Sequence, residues 1–396
     1  MAAPPRSLPA LTDALGSLER GQRRRRRLTV EPLGSDRTAV RVGERALVDF
    51  SSNDYLGLAR HPALGAALAE AARQGGSGSA ASALVSGHSA AHARLEAALA
   101  AFTGRERALL FGSGYLANLG VVSALAARGQ RVLLDRLCHA SLIDGARLSG
   151  ARLLRYAHAD AAQARARAGA PGLPLALLAS DGVFSMDGDV APLAALAALA
   201  RERQAWLLVD DAHGLGVLGK EGRGSLEIAG LGSREVPLLV GTLGKSFGLY
   251  GAFVAGAAEL IDYVMQRARS YMYSTALPPA IAAAGCVALE LVAHERWRRE
   301  HLAGLVARFC ERARAAGVPL LPSSTAIQPV LLGEAATALA AQRRLAAAGF
   351  LVVAIRPPTV PAGGSRLRVT LSAGHTVAQV DALVAALARS CHGDEP

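Results

Sequence analysis

Short apolar runs at 107–111, 131–134, 174–179, 205–209, 237–241 and 252–255 alternate with Ala- and Leu-rich segments of helical length. A strand that is apolar on both faces must be covered on both, and a strand-then-helix rhythm provides that cover around a mostly parallel sheet. The chain is therefore expected to be an α/β protein whose large, mostly parallel sheet domain spans 50–285. Beyond Pro278-Pro279 the pattern changes: a long helical stretch to about 316 precedes β-like runs at 326–332, 351–355 and 366–371, with helical patterns at 334–348 and 376–390. This predicts a smaller α+β domain over 286–396. At the other end, Leu8, Leu11, Leu15 and Leu18 keep helical spacing in a segment, 8–27, that closes on Arg23 to Arg27. Runs at 38–42 and 46–50 flank Gly43-Glu44 as in a hairpin. Residues 1–49 are expected to pack with the small domain.

Composition narrows what such a chain does. It has 43 Lys or Arg against 32 Asp or Glu, a formal charge of +11, with 51% hydrophobic and 19% charged residues over 396 positions. That balance belongs to a folded chain with a sizeable core, not a disordered one. The five-arginine run reads either as a solvated helix end or as a site for acidic substrate groups or nucleic acid. Aromatics are scarce, at 2 Trp, 7 Tyr and 8 Phe, and no binding module is recognisable, so no nucleic-acid partner is expected. Cys138, Cys286, Cys310 and Cys391 lie far apart without metal-type pairing, which reads as a reduced, cytoplasmic protein with no metal centre. Apolar stretches such as 277–289 are short, carry prolines or are broken by charge, so neither an export signal nor a membrane span is expected. Lysine occurs only at Lys220 and Lys245. Any chemistry that needs a lysine amine must use one of these two.

In an open α/β sheet, ligands bind beyond the carboxyl ends of the strands. FGSGYLAN, 111–118, ends a strand in Gly112-Ser113-Gly114 and begins a helix, whose unpaired amides favour an anion; a purely structural turn has the same signature. DRLCHAS, 135–141, places His139 just past a strand, where a structural histidine is the alternative. DGVFSMDGD, 181–189, offers three acids and Ser185, or merely a polar loop. WLLVDDAHGLG, 206–216, ends a buried strand in Asp210-Asp211 and sets His213 three residues after Asp210; a metal pair is the rival reading, without a third ligand at suitable spacing. VGTLGKSFGLYGAF, 240–253, puts Lys245 among glycines beyond another apolar strand, where an amine can lose its proton and form a Schiff base. Lys220, in the charged loop GKEGRG, reads as solvent-exposed. An anion site, a carboxylate for a cationic ring nitrogen, an imidazole for a phenolic oxygen and an amine for an aldehyde together describe one ligand, pyridoxal 5′-phosphate.

With these motifs in this order, from SSNDYLGL at 51–58 to RLRVTLSAGH at 366–375, the chain resembles the α-oxoamine synthase family of pyridoxal-phosphate enzymes. The resemblance implies the aspartate-aminotransferase-like fold, fold type I. It also implies an acyltransferase that condenses an amino acid with an acyl thioester and releases carbon dioxide. By motif, Lys245 would carry the cofactor, Asp210 would pair with the pyridinium nitrogen, and His213 would contact the phenolic oxygen. His139 would stack on the ring and orient substrate, with Ser113, Gly114, Tyr115, Ser185 and Thr242 as further cofactor contacts. The family's members are homodimers with sites at the subunit interface, and YSTALPP, 273–279, resembles the part that reaches the partner's phosphate. AIRPPTVPAGGSRLRVTLSAGH, 354–375, most resembles the members that condense L-alanine with a pimeloyl thioester, on CoA or acyl-carrier protein, to 8-amino-7-oxononanoate in biotin biosynthesis. There Arg356 would hold the amino-acid carboxylate, Thr359 would line the substrate site, and an arginine near Arg25 would meet substrate. The run RPPTVP, 356–361, argues for this branch over siblings that use glycine with acetyl-CoA or succinyl-CoA, or serine with a long acyl-CoA. Ala81 to Ala83 depart from the pattern of many relatives, which bears on the acyl-binding face.

Overall fold

The computed structural model describes residues 6–34 and 37–392. They form two compact units. One gathers the described residues up to Ser52 with Met186–Gly188 and those from Ala303 on; the other holds Asn53–Ser185 and Asp189–Leu302.

The second unit is built on seven strands: β1 (Arg107–Phe111), β2 (Arg131–Asp135), β3 (Arg152–Tyr156), β4 (Leu175–Asp181), β5 (Trp206–Asp210), β6 (Leu238–Thr242) and β7 (Ala252–Gly256). Their order across the sheet is β1-β7-β6-β5-β4-β2-β3. Only β7 runs against its neighbours, and every other pairing is parallel. The sequence pattern follows from burial: β2, β4, β5, β6 and β7 are buried almost throughout, so polar alternation would leave unpaired groups in the core. The edge strand β3, RLLRY, has arginines at two of five positions and shows no continuous apolar run, so periodicity alone does not reveal it.

Helix α1 (Gly114–Leu125) and helix α2 (Ala140–Ser149) cover one part of the sheet, with Ala117, Val121, Val122, Leu142 and Ala146 in its core. They approach closely at Gly145, where a Cβ would come within 2.9 Å of the Val122 Cβ. Helix Pro279–His294 packs against helices Pro62–Gly75 and Ala90–Thr103, so 286–302 group with the sheet unit and not with the C-terminal one. The long helical stretch is two helices, Pro279–His294 and Trp297–Ala315. No glycine or proline marks the break. Instead the Arg299 side chain donates to the carbonyl of Val292, satisfying an end of the first helix.

In the first unit, Ala39–Val42 and Arg45–Asp49 form the expected hairpin, turning at Gly43 with φ of +61°. Strand Ile327–Gly333 pairs antiparallel with Ser365–Thr370, which pairs antiparallel with Val353–Ile355. The N-terminal helix spans Leu8–Arg20 and stops at Gly21, with Gln22 at φ +52°. The five arginines therefore lie beyond the helix, not on its last turn. Among the described residues, no helix is long and apolar enough to cross a membrane.

Candidate active site

Five parallel strands end on the same edge of the large sheet, and the residues that follow them enclose a cavity of about 200 Å³. Its walls are Gly114, Tyr115, His139, Asp181, Val183, Ser185, Asp210, Ala212, His213, Thr242 and Lys245. A larger cleft, about 1220 Å³, lies at the opposite strand ends beside Trp206, Pro237 and Tyr263, with no lysine, histidine or aspartate in its lining. Of these two, the smaller cavity collects the lysine, histidine and aspartate side chains. It brings together every cofactor-site residue expected from the sequence except Ser113, which stands one residue away and caps α1 by accepting the Leu116 amide at 3.3 Å. The first amides of α1 have no acceptor within the helix and lie where an anion can use them.

Lys245 and His213 are paired across the cavity, with Nζ 2.9 Å from the imidazole Nε2. The other ring nitrogen, Nδ1, lies 2.5 Å from the Tyr55 hydroxyl. When Tyr55 donates to Nδ1, the tautomer with hydrogen on Nε2 follows, and that hydrogen points at the lysine nitrogen. Asp210 is 8% exposed and terminates β5. Its Oδ2 accepts from the Asn118 amide at 2.5 Å and its Oδ1 from the Ala212 N–H at 3.1 Å, so the carboxylate has a fixed orientation. Asn118, fully buried on α1, also donates to the Ser141 hydroxyl at 2.9 Å.

Sheet register explains the electrostatics. Asp181 and Asp210 are directly paired on adjacent parallel strands. Asp181 is buried, and burial together with the Asp210 charge holds its carboxyl well above the usual range; it accepts the backbone N–H of His139 at 3.1 Å. The His139 imidazole is shifted down, chiefly by burial and also by Lys245, against the pull of Asp210. A neutral ring suits a stacking surface. The His139 Nδ1 lies 2.7 Å from the Ser141 hydroxyl at the start of α2. Thr242 donates to the Gly251 carbonyl at 3.0 Å and accepts the Gly244 amide at 3.1 Å, shaping the loop before Lys245. Tyr115 is 42% exposed and donates to Asp144 at 2.7 Å, which raises its hydroxyl pKa.

Lys220 is exposed. Arg25, Arg356 and Thr359 belong to the other unit, where the Arg25 guanidinium donates to the Thr359 hydroxyl at 2.7 Å and Arg356 donates to the Gln22 carbonyl. Sequence reasoning overlooked Tyr55 and Asn118 as site residues and left Asp181 as one acid of the 181–189 segment, without a role. Asn118 left a signal, being the one side-chain amide in the mostly apolar helix GYLANLGVVSAL.

The family model for aminotransferase class I and II matches residues 45–387. The chain belongs to that family. The 8-amino-7-oxononanoate synthase of Methylococcus capsulatus is 59% identical over 351 residues, covering 89% of this chain and 91% of the relative. Among solved structures of the family's fold, serine palmitoyltransferase of Sphingomonas wittichii superposes with a TM-score of 0.91 at 31% identity, covering 98% of this chain and 97% of that one. A structure of SPT with PLP internal aldimine gives the same TM-score at 30% identity, over 98% of this chain and 99% of that one. The chain is thus a fold type I enzyme of this family, with the large mostly parallel sheet at its centre.

Proposed function

We propose that this chain is a pyridoxal-phosphate-dependent acyltransferase that condenses L-alanine with a pimeloyl thioester, releasing carbon dioxide and the free thiol carrier to give 8-amino-7-oxononanoate in biotin biosynthesis. The observation that carries this reading is the coincidence of relatives of that name at 54–59% identity with a single cavity that holds lysine, histidine and aspartate at strand ends. Pyridoxal phosphate fits the donor set: Lys245 for the aldehyde, Asp210 for the ring nitrogen, His213 for the phenolic oxygen, and Ser113, Gly114, Tyr115, Ser185 and Thr242 for the phosphate and rim. When bound, the cofactor supplies an electron sink for the charge left at the amino acid's α-carbon.

The protein's part is to place groups and move protons. Lys245 Nζ, freed when alanine takes its place, is the base that accepts the α-proton, and His213 Nε2 at 2.9 Å holds the amine in reach. Asp210, oriented by Asn118 and Ala212, would hold a proton on the cofactor's ring nitrogen. His139, its backbone N–H tied to Asp181, would stack on the ring and orient substrate. Arg356 is proposed to hold the amino-acid carboxylate in a bidentate grip, with Thr359 and an arginine near Arg25 completing substrate contacts. A homodimer, in the cytoplasm, completes the reading, with the thioester arriving on CoA or an acyl-carrier protein. The test is to mix purified holoenzyme with L-alanine and pimeloyl-CoA and to follow 8-amino-7-oxononanoate, thiol and carbon dioxide together. Equal release of all three is expected. Protein that tightly binds nucleic acid with steep salt dependence and has no visible absorbance from bound cofactor would overturn the proposal.

A further inference from the structure

Beside the cavity lies a buried carboxylate that no step above uses. We propose that Asp211 is a positioning residue for His213: its sealed carboxylate pins the turn that holds the imidazole against Lys245. The inference rests on the roles proposed for that pair. The turn leaves the end of β5 and is clamped on both sides of His213. Before it, the Ala212 amide donates to Asp210 Oδ1 at 3.1 Å; after it, the Gly214 and Leu215 amides donate to the Asp211 carbonyl, each at 3.0 Å. The Asp211 amide is anchored in turn on the carbonyl of Val240, 2.9 Å away in β6, the strand that leads to Lys245.

The side chain adds a second tie, to the loop that returns beneath the turn. Asp211 Oδ2 accepts the Ser225 N–H at 2.7 Å. Three glycines wall the carboxylate: a Cβ at Gly182, Gly214 or Gly224 would come within 2.5, 2.2 or 1.9 Å of one of its oxygens. Gly224 also has φ of +86°. Asp211 is fully buried. Burial pushes its pKa up to about 7 against the lowering bonds from Ser225, with Asp210 adding to the rise and Lys245 opposing it. Burying an acid in this way is costly, and an apolar side chain of similar size would avoid that cost while losing the tie to Ser225. The shape and the acceptor, not the charge, are what the turn needs. Asparagine keeps both, whereas alanine keeps neither.

The experiment compares Asp211→Asn and Asp211→Ala by two readouts. In apo-protein, the His213 imidazole resonance, assigned with His213→Gln, is titrated against pH; in holoenzyme, kcat and the KM for L-alanine are measured. Asp211→Asn is expected to keep the His213 midpoint and most of the turnover. Asp211→Ala is expected to move that midpoint by about one pH unit as the histidine leaves its partners, and to lose roughly 100-fold in kcat at unchanged KM, the scale of an ångström's misplacement. A merely structural residue would lower the melting temperature and leave the midpoint alone. Should Asp211→Ala fail to fold, Gly182→Ala, which presses on the same carboxylate, is expected to move the midpoint as well. An unmoved midpoint in the folded alanine or Gly182 variant overturns the proposal, as do equal defects in Asn and Ala. The apo-protein titration needs no cofactor, so a failure of the cofactor assignment is read separately, from the absence of a bound chromophore in wild type.

Discussion

Lys245→Ala is expected to abolish turnover, because the other lysine of the chain is exposed on a glycine-rich loop and does not line the cavity. The variant should still retain pyridoxal phosphate through its phosphate contacts but yield no borohydride-stable adduct. Mapping the reduced peptide in wild type checks this, and an adduct on Lys220 would sink the assignment. Asp210→Asn tests the floor of the cavity. A buried charge-assisted hydrogen bond contributes about 1.5–3 kcal/mol, so kcat should fall by roughly 10- to 150-fold with cofactor still bound. A variant as fast as wild type would give Asp210 another role. Both residues were legible because chemistry at strand ends leaves a local signature of a charged group after an apolar run. Their supports were not. Tyr55 lies 158 residues before His213 and Asn118 lies 92 before Asp210, distances over which no local pattern is informative.

Elements tied by ion pairs carry their own pH dependence. His158 follows β3, with Nδ1 3.1 Å from Asp135 at the end of β2 and Nε2 2.8 Å from Asp189. Burial disfavours its charge, but hydrogen bonds and attraction from both carboxylates outweigh burial and raise its pKa to about 10. A raised pKa means that the folded state holds this proton more tightly than the unfolded chain, so the stabilisation is full below about 6.5 and is lost as pH climbs towards 10. Melting temperatures of wild type and His158→Gln should therefore differ most at pH 6 and converge by pH 10. A constant difference across that range would show that the ion pair is not the cause. The same strand shows why part of the fold was hidden. Central strands are apolar on both faces and announce themselves, whereas β3 sits at the sheet edge with arginines facing outward. The division between Pro279–His294 and Trp297–Ala315 was equally silent, since helical spacing continues across it and the bond that satisfies the first helix's end, from the Arg299 side chain to the Val292 carbonyl, leaves no local pattern.

At the scale of the whole molecule the question is which amino acid enters. Glycine, L-alanine and L-serine, the amino acids of the proposed reaction and of its sibling condensations, are the ones to compare. L-alanine is expected to be preferred. One methyl in an apolar pocket is worth about 1–3 kcal/mol, so glycine should be slower by roughly 10- to 200-fold in kcat/KM without being excluded. Serine brings a hydroxyl, and burying it without a partner costs on the order of 1–3 kcal/mol, so it too should fall behind. All three share a carboxylate. If Arg356 grips it, Arg356→Ala should raise KM for each by a similar factor and leave their order unchanged; in the structure this side chain is half-buried and donates to the Gln22 carbonyl, a contact that substrate would have to replace. Measuring kcat/KM for the three amino acids with pimeloyl-CoA, and for glycine with acetyl-CoA, decides the matter. Faster condensation of glycine with acetyl-CoA would assign the chain to a sibling activity, while the roles of Lys245, Asp210 and His213 would stand because they act on the cofactor and not on the side chain that distinguishes the substrates.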